Sequence, residues 1–231
     1  MINASLRLPS ALRHLSALRP APRSSALAVF SFALALVLPL ASHAALAPGA
    51  STARPLAVGA LAPDATVKTP DGAAFDLGAT LAEKPTVLVF YRGGWCPYCN
   101  RQLAELAGFE PKFLALGFQI IALSTDAPAG LAPTAEQDHI AYRRLSDRAM
   151  AAASAYGVAF RVDAATVEKY RGYKVDLAPV PGEPDARWLP VPTVFVFGRD
   201  RIIRFAASNP DFKIRLPAAE LLAAAEAAAA K

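Results

Sequence analysis

Side chains with versatile chemistry are scarce in this sequence. Its 231 residues include two cysteines, three histidines, two methionines and two tryptophans. His14 and His43 fall in the first 44 residues, so His139 is the one imidazole beyond them. A structural zinc site takes four such ligands, and Cys96, Cys99 and His139 are too few, so no metal is expected. Haem attachment needs a histidine directly after the second cysteine, where this chain has Asn100. Acidic residues are missing from the first 44 positions, which carry Arg7, Arg13, Arg19 and Arg23. The formal charge of +5 is therefore mostly local, because 20 basic residues remain against 19 acidic ones. That balance leaves no global footprint for a polyanion, and nucleic acid is not an expected partner.

The arginine-bearing start has the pattern of an export signal. An apolar run from Ala26 to Leu38 follows Arg23, Pro39 ends it, and Ser42-His43-Ala44 puts small residues at the cleavage positions. The run is 13 residues long, short of the ~20 that a membrane-spanning helix needs. A stable membrane anchor is accordingly not expected. Cleavage near Ala44 would give a periplasmic or secreted protein. The expected organisation is a signal peptide over 1–44, an Ala/Pro/Gly-rich linker over 45–62 and one domain over 63–231. More than half the residues are apolar, enough to build a packed core.

Within that domain, Thr69-Pro70-Asp71-Gly72 is a turn signal between Thr66–Lys68 and Ala74–Leu77, predicting a small N-terminal hairpin. The continuous apolar runs 86–91, 118–123 and 193–197 read as strands buried on both faces. A helix is expected from Pro97, bent or broken near Gly108 and Pro111 and closed by Gly117. Thr134 with Gln137 predicts a capped helix running to about Arg144, and Ser146-Asp147 predicts another over 148–156, stopped by Gly157. Residues 163–187 read as an amphipathic stretch followed by a Pro/Gly-rich loop ending near Trp188. Residues 201–205 are expected to form a hairpin with the third apolar strand, and Ala218–Ala230 a terminal helix. Strands alternating with helices and ending in a hairpin imply an α/β fold with parallel strands at the centre of the sheet.

The chemistry concentrates in Trp95-Cys96-Pro97-Tyr98-Cys99, where a buried strand gives way to a helix. A cysteine at a helix N-terminus meets unpaired N–H groups and the positive end of the dipole, which favour the nucleophilic thiolate. Cys99 lies one helical turn on, within reach of the same sulfur, and Pro97 suits the first helical position. Cys96 is therefore the expected attacker and Cys99 the resolver, with the Cys96–Cys99 redox-active disulfide as the working group and no other cofactor. A structural bridge closing so small a loop would remove little chain entropy. Arg92 follows the strand, where its charge can either favour the thiolate or simply meet solvent. Trp95 and Trp188 can form a hydrophobic rim or pack in the core.

The segment FYRGGWCPYCNRQLAEL, Phe90 to Leu106, resembles the active-site segment of the peroxiredoxin-like branch of the thioredoxin superfamily, the alkyl hydroperoxide reductase/thiol-specific antioxidant group. The similarity continues through Leu145-Ser146-Asp147, Ala155-Tyr156-Gly157-Val158, Leu189 to Thr193, and Ile203-Arg204-Phe205. The resemblance implies a thioredoxin-like fold, a central mixed sheet flanked by helices. It also implies a cis-proline before the third strand, for which Pro192 after Val191 is the matching position. Trp95, Pro97, Tyr98, Arg92, Val191 and Pro192 are thus expected to support Cys96 and Cys99. The implied activity is reduction of peroxides, with an exported dithiol restoring the pair. The family's signature has proline and threonine where this chain has Val89 and Gly93. Trp95 is thioredoxin's usage before the cysteine, and Pro97-Tyr98 is that of glutaredoxins, so reduction of protein disulfides stands as the alternative.

Overall fold

A computed structural model describes residues 46–131 and 139–230. The expected signal peptide lies outside the described residues. Beyond it, the stretch read as a linker lies along the domain. Arg54 and Leu56 donate to the carbonyls of Gly157 and Tyr156, and Ala62 donates to that of Arg201.

The hairpin β1 (Thr66–Lys68) and β2 (Ala74–Asp76) leads into a short helix α1 (Leu77–Glu83), capped by the Asp76 side chain on the Ala79 N–H. Strand β3 (Thr86–Phe90), helix α2 (Pro97–Ala115) and strand β4 (Gln119–Ser124) form a parallel crossover unit. Strand β5 (Arg143–Ser146) pairs parallel to β4, then a single turn-rich helix α3 (Ala151–Ala155) follows. The chain continues through β6 (Ala159–Arg161), α4 (Ala164–Gly172), β7 (Pro179–Val180), β8 (Glu183–Pro190), β9 (Thr193–Phe197), β10 (Ile203–Ser208) and α5 (Ala218–Ala229). The main sheet has seven strands in the order β10-β9-β3-β4-β5-β1-β2, with β9 antiparallel to β3 and the N-terminal hairpin at the far edge. It is the expected mixed sheet of a thioredoxin-like fold.

The apolar runs owe their continuity to a core on each face of this sheet. Along β3, Leu88 and Phe90 enter one cluster with Tyr156, Trp188 and Phe195. Val87, Val89 and Tyr91 enter the other with Leu103, Leu106 and Phe113 of α2 and Leu221 and Ala225 of α5. Strand alternation therefore feeds two cores from one segment. Burying a side chain of this size contributes roughly 1.5–3 kcal/mol, so these runs dominate the placement of the elements.

Four local expectations are corrected. Helix α2 runs unbroken through Gly108 and Pro111. Proline lacks one N–H, but Pro111 lies on the exposed side while Leu103, Leu106 and Phe113 anchor the other. The helix expected to reach Arg144 does not, because Arg143 and Arg144 belong to β5, and residues 132–138 lie outside the described residues. Arg144 is buried and donates to the Leu131 carbonyl, so its charge is masked by a backbone acceptor. Helix α3 begins only at Ala151, although the Asp147 carboxylate does accept from the Ala152 and Ala153 N–H groups at 3.0 and 2.7 Å. The Pro/Gly-rich loop before Trp188 is a second sheet, ordered β6-β8-β7, turning at Pro181-Gly182. The polar start of β8 is held by pairing with β7 and its apolar end by pairing with residues 159–161, rather than by its own propensity.

Candidate active site

Strand β3 ends at Phe90, and the five residues after it deliver Cys96 to the start of α2. Cys96 is the N-cap in extended conformation, and its carbonyl accepts the Cys99 and Asn100 N–H groups at 3.0 Å each. Pro97 opens the helix, where its missing N–H has no intrahelical partner to lose. The connecting loop is tied down on both sides. Asn100 donates through Nδ2 to the Gly94 carbonyl at 2.7 Å, and the Gly94 N–H donates to Asp126 Oδ2 at 2.8 Å. Burial pushes the Asp126 carboxyl above its usual range, against the hydrogen bonds from Gly94 and Ser124.

Gly93, where the family's signature would carry threonine, has φ +153 and no space for a side chain. A Cβ there would lie 2.7 Å from Asp126 Oδ1 and closer still to Nε1 of Trp95. The loop therefore trades a hydroxyl at this position for a close approach of the Trp95 indole.

Two guanidinium groups flank the cysteines. Arg92 is only 5% exposed, not solvated. Its guanidinium lies 4.0 Å from the Phe212 ring centroid, 4.9 Å from that of Trp95 and 5.3 Å from that of Tyr170, whose hydroxyl accepts a hydrogen bond from it. Tyr98 meets Phe212 edge-on at 5.7 Å. Trp188 is fully buried in the core, so only Trp95 borders the site.

The second cation, Arg215, gives no signal in the sequence. It sits in the irregular stretch between β10 and α5, yet its Nη2 lies 3.2 Å from Cys99 Sγ and 3.9 Å from Cys96 Sγ. Nη1 donates to Gln102 Oε1 at 3.0 Å, and Nε to the Phe212 carbonyl at 2.8 Å. Gln102 was discoverable in principle. It is a buried polar residue three positions after Cys99, on the same side of α2.

Both cysteines are free thiols, and residue exposure is 1% for Cys96 and 0% for Cys99. A hydrogen bond from the Cys99 thiol holds the Cys96 thiol down to about 6, helped by the Cys99 N–H and the charges of Arg92 and Arg215. Burial and the adjoining Cys96 push Cys99 well above the ordinary thiol range. The two sulfurs are thus unequal at neutral pH, one a thiolate and the other a proton-bearing thiol.

Val191 and Pro192 take different positions. Val191 is in the core, its N–H bonded to the Val158 carbonyl and its own carbonyl accepting from Thr193 Oγ1. Pro192 lines a cavity of about 320 Å³ together with Gln102 and Arg215. The expected cis bond is not present, since every peptide bond among the described residues is trans. The extended backbone continues from β8 into β9, with the Pro192 carbonyl accepting the Asn209 N–H at 3.3 Å.

Comparison with known proteins places this geometry in context. A family model described as the AhpC/TSA family matches residues 58–206, more than half of the chain. Among solved structures, the peroxidoxin BcpB of Mycobacterium tuberculosis is similar at 22% identity with a TM-score of 0.57, over 74% of this chain and 96% of that one. Prx3 of Vibrio vulnificus, solved reduced in complex with H2O2, is similar at 16% identity and a TM-score of 0.59, covering 74% and 99%. Peroxiredoxin Q of Xanthomonas campestris is similar at 17% identity and a TM-score of 0.55, covering 71% and 90%. These structural likenesses concern the fold. No curated protein sequence matches the chain significantly.

Proposed function

The chain belongs to the AhpC/TSA family and is a thiol oxidoreductase, and from that premise we propose that it is an exported peroxide reductase using Cys96 and Cys99. The observation that carries the reading is the inequality of the two sulfurs in a closed site. Cys96 is the anion, beside two guanidinium groups, and Cys99 holds the proton needed later. With both residues almost fully covered, a small electrophile suits the site better than a folded protein's disulfide.

The Cys96 thiolate attacks the terminal oxygen of a peroxide, the O–O bond breaks, and the leaving alkoxide or hydroxide takes a proton from water. Cys96 is then a sulfenic acid, oxidised by two electrons. Cys99 attacks that sulfur, an S–S bond forms, and the Cys99 proton leaves with the sulfenic hydroxyl as water. An exported dithiol returns two electrons and two protons to the disulfide. Export rests on the Arg-bearing leader and its small residues near Ala44. N-terminal sequencing of the purified protein, with a start near Leu46 expected, tests it.

Mixing reduced protein with hydrogen peroxide in a stopped-flow instrument tests the reaction, with Trp95 fluorescence and free thiol as readouts. Thiol loss paired with disulfide formation is expected. Cys99→Ser should stop at a sulfenic acid that a dimedone probe labels, and Cys96→Ser should be inert. No thiol consumption at millimolar peroxide would sink the reading. A second reading, reduction of protein disulfides, is favoured by Gly93, which supplies no hydroxyl where the family's signature has threonine. It predicts that Cys99→Ser traps mixed disulfides with partner proteins.

A further inference from the structure

Thr125 and Asp126, the two residues that follow β4, hold the loop in front of Cys96. The Thr125 hydroxyl donates to the Arg92 carbonyl at 2.9 Å. Asp126 takes the Gly94 N–H on Oδ2 at 2.8 Å. That N–H belongs to the peptide group joining Gly93 and Gly94, and the carbonyl of the same group accepts the Cys96 N–H at 3.1 Å. One rigid plane therefore has a carboxylate at one end and the backbone of Cys96 at the other. Asp126 is itself anchored on two sides. The Ser124 hydroxyl donates to Oδ2 at 2.8 Å, the Asp126 N–H donates to Ser124 Oγ at 3.3 Å, and the hydroxyl of Ser146 in β5 donates to the Asp126 carbonyl at 2.6 Å. None of these hydrogen bonds reaches a sulfur.

We propose that Asp126 is a positioning residue for the nucleophile: its carboxylate fixes the plane of the Gly93–Gly94 peptide group, and that plane fixes Cys96 at the head of α2. A peptide N–H bonded to a carboxylate is a charge-assisted donor, and the carbonyl of the same peptide becomes the better acceptor for the Cys96 N–H. Gly93, at φ +153, gives the plane an orientation that a residue with a side chain rarely adopts, so local preference does not hold it there. Without the Asp126 acceptor the plane is free to turn. Cys96 then shifts relative to Cys99, Arg92 and Arg215, the groups that favour its thiolate. Charge alone predicts the opposite result. A carboxylate close by disfavours a thiolate, so deleting one that has no positioning role eases the ionisation of Cys96 or leaves it unchanged. The sign of the change separates the two roles. The charged and titratable groups facing Asp126 are Arg144, Arg148 and the Tyr91 phenol. The assignment rests on the reading of Cys96 as the attacking thiol and not on which electrophile it meets.

The pH dependence of alkylation by iodoacetamide, measured on the reduced full chain without peroxide, tests it. Asp126→Ala should raise the Cys96 midpoint by about one pH unit, so that the rate at pH 6 falls about fivefold while the rate at pH 8.5 changes by less than about twofold. Cys99 should stay unlabelled, because a merely loosened site would expose both thiols. Asp126→Asn keeps a carbonyl oxygen for the Gly94 N–H without the charge, and should bring the rate at pH 6 back to within about twofold of wild type. Ser124→Ala keeps the charge and removes one anchor of the carboxylate. It should shift the midpoint in the same direction by less, and it decides the matter if Asp126→Ala fails to fold. A midpoint in Asp126→Ala at or below the wild-type value would overturn the assignment. So would labelling of Cys99 in that variant, an Asp126→Asn midpoint as high as that of Asp126→Ala, or an unmoved midpoint in Ser124→Ala. A protein whose midpoints respond as expected but which consumes no peroxide would refute the peroxide cycle and leave the role of Asp126 standing.

Discussion

Gly93 and Trp95 are packed so closely that a single methyl group on Gly93 cannot be placed without moving the indole. The contact explains why the site has no hydroxyl at this position. It also fixes the entry of the chain into α2, because the next residues are Cys96 and Pro97.

Gly93→Thr should therefore destabilise the protein without adding peroxidase rate. The backbone at φ +153 and the crowding by Trp95 and Asp126 together cost about 1–3 kcal/mol. Urea unfolding should show a lower midpoint with an unchanged slope. A wild-type midpoint with faster peroxide consumption would contradict the packing argument.

Alkylation of the reduced protein should track the Cys96 thiolate. Its thiol sits at about 6 rather than at 9.0, and only the deprotonated form reacts. The rate should fall roughly tenfold per pH unit below about 6 and level off above neutrality. An ordinary thiol would still be accelerating at pH 8. Groups facing Cys96 are Cys99, Arg92 and Arg215, and Cys99 itself should react only at far higher pH. Rates with iodoacetamide, measured on wild type and Cys96→Ser, decide the matter.

Arg92→Met should move that pH midpoint upward and loosen the loop. It removes a positive charge from beside Cys96 and the contacts to Phe212, Trp95 and the Tyr170 hydroxyl. The combined loss should be on the order of 1–3 kcal/mol. Arg92→Lys keeps the charge but not the planar stacking, so it should restore the midpoint more fully than the stability. Identical midpoints in all three proteins would mean that the charge does not reach the sulfur.

Trp188→Ala should cost about 3–5 kcal/mol through the cavity it leaves in the core. Trp188→Phe should cost much less, ~1.5 kcal/mol or below, because the indole N–H has no hydrogen-bond partner to lose. Thermal melts of the two variants should separate clearly. Equal losses would place the energetic role of Trp188 in its nitrogen instead of its bulk.

Much of this protein is legible in one dimension because the relevant physics is local. The runs 86–91, 118–123 and 193–197 are continuously apolar and read as strands buried on both faces, and β3, β4 and β9 form on them. Trp95 to Cys99 combines a helix start with two thiols one turn apart, so the candidate pair could be named from spacing alone. Where long-range pairing overrides local preference, the sequence misleads. Arg143 and Arg144 become strand because β4 offers them a ladder, and Glu183–Pro190 becomes strand because β7 pairs its polar start and Ala159–Arg161 its apolar end. What the tertiary structure alone decided is the environment of the sulfurs. Arg215 lies 116 residues from Cys99 in an irregular connection with no motif or periodicity, and the fold of β10 onto β9 returns that connection over the start of α2. The sequence determined that two thiols would stand one turn apart at a helix start. Tertiary packing decided which charges and rings enclose it, because electrostatic influence follows distance in space and not separation along the chain.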